Sequence, residues 1–350
     1  MKAPKYQWQP TTVEIAAAAG ITPEQVERFD HNTSPFPTEW APAVAAASLR
    51  SLNEYPGADY RTLRIAAAEL NDLEPEQIAP GAGADELILL CGRAFLDRGD
   101  SAVAATPTYP LYEISTLQAG GVFQPVPAAA PDFDYPSDQM IRAARDADLV
   151  WVCTPSNPIG NVVAPDTVEA LISATDGLVV VDAAYAEFAG ADWSKQVENH
   201  HNLIVLRTLS KAFGLAGARV GYAMAHADLI TAVDGVRPPG SISSISVDLA
   251  QAALGASTAM NKNVATTIAA RNDLGVMLGS VGLRVLPSET NFLLCEVGPH
   301  AHDIARHLME AGLVARKFPV DGPLRDYLRF TVRTQQAHNR LITELERCLP

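Results

Sequence analysis

Basic residues are in short supply. The 350-residue chain carries 26 lysines and arginines against 40 aspartates and glutamates, a formal charge of −14. Such a surface repels phosphate backbones and anionic lipid, so neither nucleic acid nor membrane is an expected partner. An anionic substrate would then need its own local cluster of arginines. Cysteine is scarce too: Cys91, Cys153, Cys295 and Cys348 lie far apart and form no C-x-x-C pair. Reduced thiols in a cytosolic protein are expected, rather than a disulfide frame or a zinc site. No apolar run reaches the 18 residues a membrane span needs. Residues 1–10 lack the apolar centre of an export leader, which points to the cytoplasm. His200, His201, His300 and His302 fall in polar, loop-like stretches without a ligand set, so a metal is not expected. Internal repeats are missing as well.

What is present is globular. Hydrophobic residues make up 48% of the chain, ample for one large domain and a smaller one. Short apolar runs at 102–105, 149–153, 178–182, 203–207 and 220–224 alternate with helical patterns such as 84–96 and 167–174. Strands that are apolar at nearly every position are buried on both faces. With helical crossovers they predict an α/β fold whose large domain has a mostly parallel sheet in α/β/α layers. After Pro238-Pro239-Gly240 the character changes. A long helical stretch over 247–279, continuous or broken, precedes strand-like 283–286 and 291–297, a helix at 302–311, short strands near 313–316 and 327–332, and a closing helix from Gln335. This reads as a smaller α+β domain. The expected division is an N-terminal segment (1–45) packing with the small domain, a large domain (46–240), connecting helices (241–275) and a small C-terminal domain (276–350).

Six segments carry polar residues where such strands end. In Arg207-Thr-Leu-Ser-Lys-Ala-Phe-Gly-Leu-Ala-Gly-Ala-Arg219 an apolar strand delivers Ser210 and Lys211 into a glycine-studded turn. A partly desolvated lysine amine forms an imine with a carbonyl cofactor, and Arg219 suits a phosphate; a lone Ser-Lys pair is usually surface. Asp182 closes the run 177–182, where it either pairs with a protonated ring nitrogen or caps a helix. Pro80-Gly-Ala-Gly-Ala-Asp-Glu86 leads into a helical run and offers backbone N–H groups to an anion, or is an ordinary turn. Cys153-Thr-Pro-Ser-Asn-Pro-Ile-Gly160 presents Asn157 at the sheet edge. Tyr109, in Thr106-Pro-Thr-Tyr-Pro110, either stacks on a flat cofactor or belongs to the core. Arg329, in Leu328-Arg-Phe-Thr-Val332, either binds a carboxylate or phosphate or faces solvent. Glu113 and Asp85 read as helix-end charges rather than an acid/base pair.

Each segment alone is ambiguous, but their order and company resemble the fold-type I aminotransferases of class I/II, and within them the histidinol-phosphate aminotransferase group. The resemblance runs from about Asn32 to the end of the chain. It implies an aspartate-aminotransferase-like fold and a pyridoxal 5′-phosphate (PLP) cofactor. By that likeness Lys211 holds the cofactor covalently and later moves the proton, and Asp182 pairs with the pyridine nitrogen. Tyr185 and Asn157 reach the ring hydroxyl, and Tyr109 stacks on the ring. The phosphate is held by backbone at Ala84 and Asp85 and by Ser210 and Arg219, with Thr208 in support. Tyr55, in Glu-Tyr-Pro-Gly, matches a tyrosine that crosses to the neighbouring subunit, which implies a homodimer. Arg329 matches the arginine for the substrate carboxylate, Arg316 a second anion-binding arginine, and Asn32 lines the substrate side. The implied reaction is transamination between an amino donor, histidinol phosphate, and a 2-oxo acid such as 2-oxoglutarate.

The chain departs from the family in two places. Asp182-Ala-Ala-Tyr185 stands where Asp-Glu-Ala-Tyr is usual, and Asn32-Thr-Ser-Pro35 stands for Asn-Glu-Asn-Pro. The first leaves every direct cofactor partner in place. The second falls on the substrate side, which keeps aromatic amino-acid transamination and a threonine-phosphate-type decarboxylation open as alternatives. A non-catalytic PLP-binding regulator is the third; it usually adds a DNA-binding domain, for which this length leaves no room, and loss of Lys211 or Asp182 would have favoured it.

Overall fold

Seven strands make the larger sheet of the computed structural model, which describes residues 9–349; residues 1–8, on which most of the leader reading rests, and residue 350 lie outside it. Numbered along the chain, the strands are β1 (Glu27–Arg28), β2 (Ile78–Gly81), β3 (Ser101–Thr106), β4 (Val122–Pro127), β5 (Leu149–Cys153), β6 (Leu178–Asp182), β7 (Leu203–Thr208) and β8 (Gly221–Ala225). The later part of the chain adds β9 (Arg284–Val285), β10 (Phe292–Glu296), β11 (Leu313–Val314), β12 (Arg316–Lys317) and β13 (Tyr327–Thr331). The large sheet has the order β2-β8-β7-β6-β5-β3-β4, with β3 to β7 parallel where they pair and β8 antiparallel to both its neighbours.

The double-sided burial follows from the sequence. Val150, Val179, Val181 and Val205 face one core with helices Arg61–Asn71, Ser137–Ala144 and Pro165–Ala174. Leu149, Trp151, Val180 and Ile204 face another with helices Gly83–Phe95, Leu111–Ala119 and Ala227–Gly235. Strand side chains alternate, so Asp182 follows Val180 onto the second face. The sequence patterns missed β2 and β4. The outermost strand β4 is largely exposed and carries Pro125 and Pro127, which a sheet edge tolerates and an apolar-run search passes over.

A four-stranded antiparallel sheet, β12-β13-β10-β9, packs on its own core with Leu274, Leu278, Ile304 and Leu341. The expected long helix is broken at Gly255 and Ala256, giving Ser244–Leu254 and Ser257–Ser280. Val264 and Ile268 of the second piece lean on the large-sheet core, while Leu274 and Leu278 enter the small-sheet core. The N-terminal segment packs beside the small sheet: β1 and β11 form a separate two-stranded parallel sheet, and Phe29 is buried beside Phe330. Helix Ala41–Ser48 instead lies against Ser244–Leu254, where Ser48 Oγ donates to Asp248 Oδ2 at 2.6 Å. No helix among the described residues is long and apolar enough to cross a membrane.

Candidate active site

The parallel strands β3, β5, β6 and β7 end on one edge of the sheet, where open α/β sheets bind ligands. The turns that follow deliver Tyr109, Asn157, Tyr185 and Lys211 in turn. Asp182 is 5% exposed. Burial pushes its carboxyl up to about 6, against the hydrogen bonds it accepts from Tyr112 Oη at 2.6 Å and the Ala184 N–H at 3.1 Å. Lys211 Nζ lies 5.7 Å from the centre of the Tyr185 ring. Burial, together with Arg329 and Arg219, brings its ammonium down to about 8, while Asp85 and Asp182 act the other way. A neutral amine is therefore available near pH 8, which nucleophilic chemistry requires.

A second cluster forms at the start of helix Gly83–Phe95. Gly83 has φ +81, and a Cβ there would stand 2.8 Å from Arg219 Nη2, so only glycine leaves this cradle open. Ala84 and Asp85 open the helix and aim backbone N–H groups outward. Arg219 donates to Ser210 Oγ at 3.4 Å and to Asp85 Oδ2 at 2.8 Å. Asp85 Oδ1 accepts from Tyr109 Oη at 2.9 Å, and Thr208 Oγ1 accepts from the Ser210 N–H at 3.2 Å. Asp85 and Glu113 both sit in first helical turns, the helix-end positions read from the sequence.

The opposite wall comes from the small sheet and the N-terminal segment. Arg329 on β13 and Arg316 on β12 are register partners, so they share one face of the sheet. Arg329 donates to Asn157 Oδ1 at 2.5 Å and to the Asp30 carbonyl at 2.8 Å, and its guanidinium lies 4.9 Å over the Phe292 ring. Two like charges set directly opposite repel each other, and a bound anion relieves that repulsion. The Asn32 amide donates to the Tyr185 oxygen at 2.9 Å, and Asn157 Nδ2 approaches the same oxygen at 3.5 Å. Tyr55 does not join this cluster within the chain; it is 95% exposed.

Sequence reading missed three groups. Tyr112 touches Asp182 and stacks on Trp151 at 5.2 Å. Its signal was the spacing from Tyr109, three residues on and across the start of a helix. Asp30 holds Arg28 through two bonds at 2.7 and 2.9 Å, and Arg28 Nη2 lies 2.5 Å from His31 Nε2. Burial lowers the His31 pKa, as do the nearby charges of Arg28, Lys211 and Arg316, against Asp30. Nothing in the local pattern of 28–31 marks it as part of a site, because its partners lie far along the chain.

The donor set fits PLP. An open glycine cradle with Arg219, Ser210 and helix-start amides suits a phosphate. A buried carboxylate suits a ring nitrogen, hydroxyl and amide groups suit a ring oxygen, and a partly neutral lysine suits an aldehyde. Comparison with known proteins agrees. The family described as Aminotransferase class I and II matches residues 25–345. A histidinol-phosphate aminotransferase of Ruminiclostridium cellulolyticum is 35% identical over 327 residues, covering 91% of each chain. Histidinol-phosphate aminotransferase 2 of Archaeoglobus fulgidus is 34% identical, covering 93% of this chain and 95% of its own. Among solved structures, histidinol-phosphate aminotransferase from Sinorhizobium meliloti in complex with pyridoxal-5′-phosphate superposes with a TM-score of 0.89 at 26% identity, over 97% of this chain and 95% of that one.

Proposed function

The chain belongs to the class I and II aminotransferases and works with PLP, and from that membership we propose that its amino donor is histidinol phosphate and its acceptor a 2-oxo acid such as 2-oxoglutarate. The observation that carries the substrate reading is the opposed pair Arg316 and Arg329 beside Asn157. Arg329 takes the carboxylate of the 2-oxo acid, and the two arginines together take the phosphate of the donor. The relatives named for this reaction support the same choice. Asn32 lines this side of the site.

When bound, PLP supplies an electron-withdrawing ring for the electron pair released at the substrate Cα. Lys211 would hold the aldehyde carbon, and its amine, when free, would move a proton from the substrate Cα to that former aldehyde carbon, two atoms away across the nitrogen. The Asp182 carboxylate keeps a proton on the ring nitrogen. Tyr185 and Asn157 bind the ring oxygen, and Tyr109 covers a ring face. The phosphate is held by Arg219, Ser210 and the amides of Ala84 and Asp85, with Thr208 bracing Ser210. Exposed Tyr55, together with exposed Leu49 and Leu52 on the same stretch, supports a homodimer in which the partner subunit's Tyr55 completes the phosphate site. Four free cysteines support work in a reducing compartment, the cytoplasm.

The test is a donor screen. Holoenzyme is mixed with histidinol phosphate, phenylalanine, tyrosine, glutamate and threonine phosphate, and visible absorbance and CO₂ are followed. Histidinol phosphate is expected to convert the cofactor to its aminated form at the lowest concentration, without CO₂. Preference for an aromatic amino acid, or CO₂ release from threonine phosphate, would replace the substrate reading and leave the family intact.

A further inference from the structure

Asn32 is 2% exposed and ties two distant parts of the molecule together. Its N–H donates to Thr331 Oγ1 at 2.9 Å, and its carbonyl accepts from Asn291 Nδ2 at 2.9 Å. Thr331 ends β13 and Asn291 directly precedes β10, so the backbone of Asn32 is pinned to the small sheet. Its φ of +52 is a left-handed conformation that asparagine tolerates. From there the side chain reaches Tyr185, just past the end of β6 in the large sheet.

Proton accounting gives the direction of the Asn157 bonds, and the placing of the Asn32 amide gives that of its own. Arginine only donates, so Asn157 Oδ1 faces Arg329 and its NH₂ faces Tyr185. The Thr331 hydroxyl lies 3.0 Å from Asn32 Oδ1 and 2.7 Å from the Phe29 carbonyl, which also accepts the Thr331 N–H at 2.7 Å. With its oxygen on Thr331, Asn32 turns its NH₂ to Tyr185. Both partners of the Tyr185 oxygen among the described residues are then donors, and the Tyr185 proton is left to be given elsewhere.

We infer that Asn32 is a positioning residue: by donating to Tyr185 it aims the Tyr185 proton at the cofactor's ring oxygen, and it ties that donation to the small sheet. The inference rests on the reading of Tyr185 given above. A donor on the ring oxygen stabilises its negative charge and disfavours protonation of the neighbouring link between Lys211 and the cofactor. Loss of Asn32 therefore raises the pH at which the bound cofactor's visible band changes.

The experiment is a spectral pH titration of the holoenzyme, with apoprotein affinity for PLP and for 3-deoxypyridoxal phosphate measured alongside. Asn32→Ala is expected to raise the midpoint by about 0.5–1 unit and weaken PLP by roughly three- to tenfold, the size of one hydrogen bond. Asn32→Asp, which keeps the volume but presents an acceptor to Tyr185, is expected to raise it further, and serves alone should the alanine variant not fold. Both effects should vanish in a Tyr185→Phe background, and the affinity loss should vanish with the 3-deoxy analogue. An unchanged or lowered midpoint in Asn32→Ala, or an equal shift in the Tyr185→Phe background, overturns the inference. Should Tyr185→Phe alone leave the midpoint unmoved, the reading of Tyr185 fails and takes the inference with it. A shift with Tyr185→Phe but none with Asn32→Ala defeats the inference alone.

Discussion

The two walls of the site are built by different means. On the cofactor wall, Asp182, Tyr185, Asn157 and Lys211 each stand at or just past the end of a largely buried parallel strand. On the substrate wall, Asn32 meets Thr331 across 299 residues of chain, and Arg316 meets Arg329 across a strand pair only two residues long. The first wall inherits its precision from a regular sheet; the second is assembled from segments that only the folded chain brings together. The departures from the family pattern respect this division. Ala183, in place of the usual glutamate, is buried in the core on the face opposite Asp182, so it touches the fold and not the ring site. Thr33 and Ser34 adjoin Asn32, on the wall proposed for the substrate.

The largest effect should come from the group that carries the reaction itself. Lys211→Ala is expected to lower turnover by about 10³-fold or more with every donor, because covalent attachment and proton transfer are lost together. The wild-type apoprotein gives the matching pH test. The amine is lowered to about 8, so it is neutral and reactive above that pH and protonated below it. Modification of Lys211 by an amine-selective reagent should therefore rise with a midpoint near pH 8. Full multiple turnover by Lys211→Ala would end the proposed mechanism, and a midpoint near that of a free lysine would show that burial is not acting on the amine.

The same division explains what could be read from the sequence. Apolar runs at 149–153 and 178–182 coincide with β5 and β6, because burial on both faces leaves no other composition. The residue that follows such a run is a site candidate for a simple reason: a polar group at the end of an apolar strand needs a task. Tyr112 escaped because its role depends on a helix packing over the Asp182 face, a tertiary fact. Asp30 and His31 escaped because β1 spans two residues and leaves no periodicity. Asn32 was readable only through resemblance, and its bond to Tyr185 was not readable at all.

Arginine substitutions test whether the walls are separable. Arg316→Gln should raise KM about tenfold or more for donors bearing phosphate and leave PLP affinity within about twofold, since Arg316 makes no bond to a cofactor-wall residue in the described structure. Arg329→Gln should raise KM for all anionic substrates by about 10²-fold, as expected for a largely buried bidentate partner. It should also weaken PLP a few-fold, because Arg329 fixes the amide of Asn157. Steady-state kinetics with and without phosphate on the donor, beside PLP titration of each apoprotein, make the comparison. Equal loss of PLP affinity in both variants would mean that the two walls act as one.

Asp182→Asn should show the reverse signature, on cofactor and stability rather than on donor choice. In the apoprotein this carboxylate is buried with Tyr112 and one backbone amide for partners, and its pKa stands at about 6 against an ordinary 3.8. The sign follows from linkage. Because the folded protein binds this proton more tightly than the unfolded chain, stability falls as pH rises through the window from about 4 to about 6, and stays lower above it. The amount is on the order of 1–3 kcal/mol. Asparagine has no charge to desolvate, so the variant apoprotein should resist denaturant better than wild type at pH 7.5 and lose the advantage near pH 4. Its PLP affinity should fall by roughly 10- to 100-fold, the loss of a charge-assisted bond to the ring nitrogen. Donor preference should not move. Denaturant curves of the two apoproteins at both pH values, with a PLP titration of each, decide it. A variant less stable than wild type at pH 7.5 would mean that Tyr112 and the Ala184 amide already compensate the buried charge, and that the cofactor wall carries no strain for PLP to relieve.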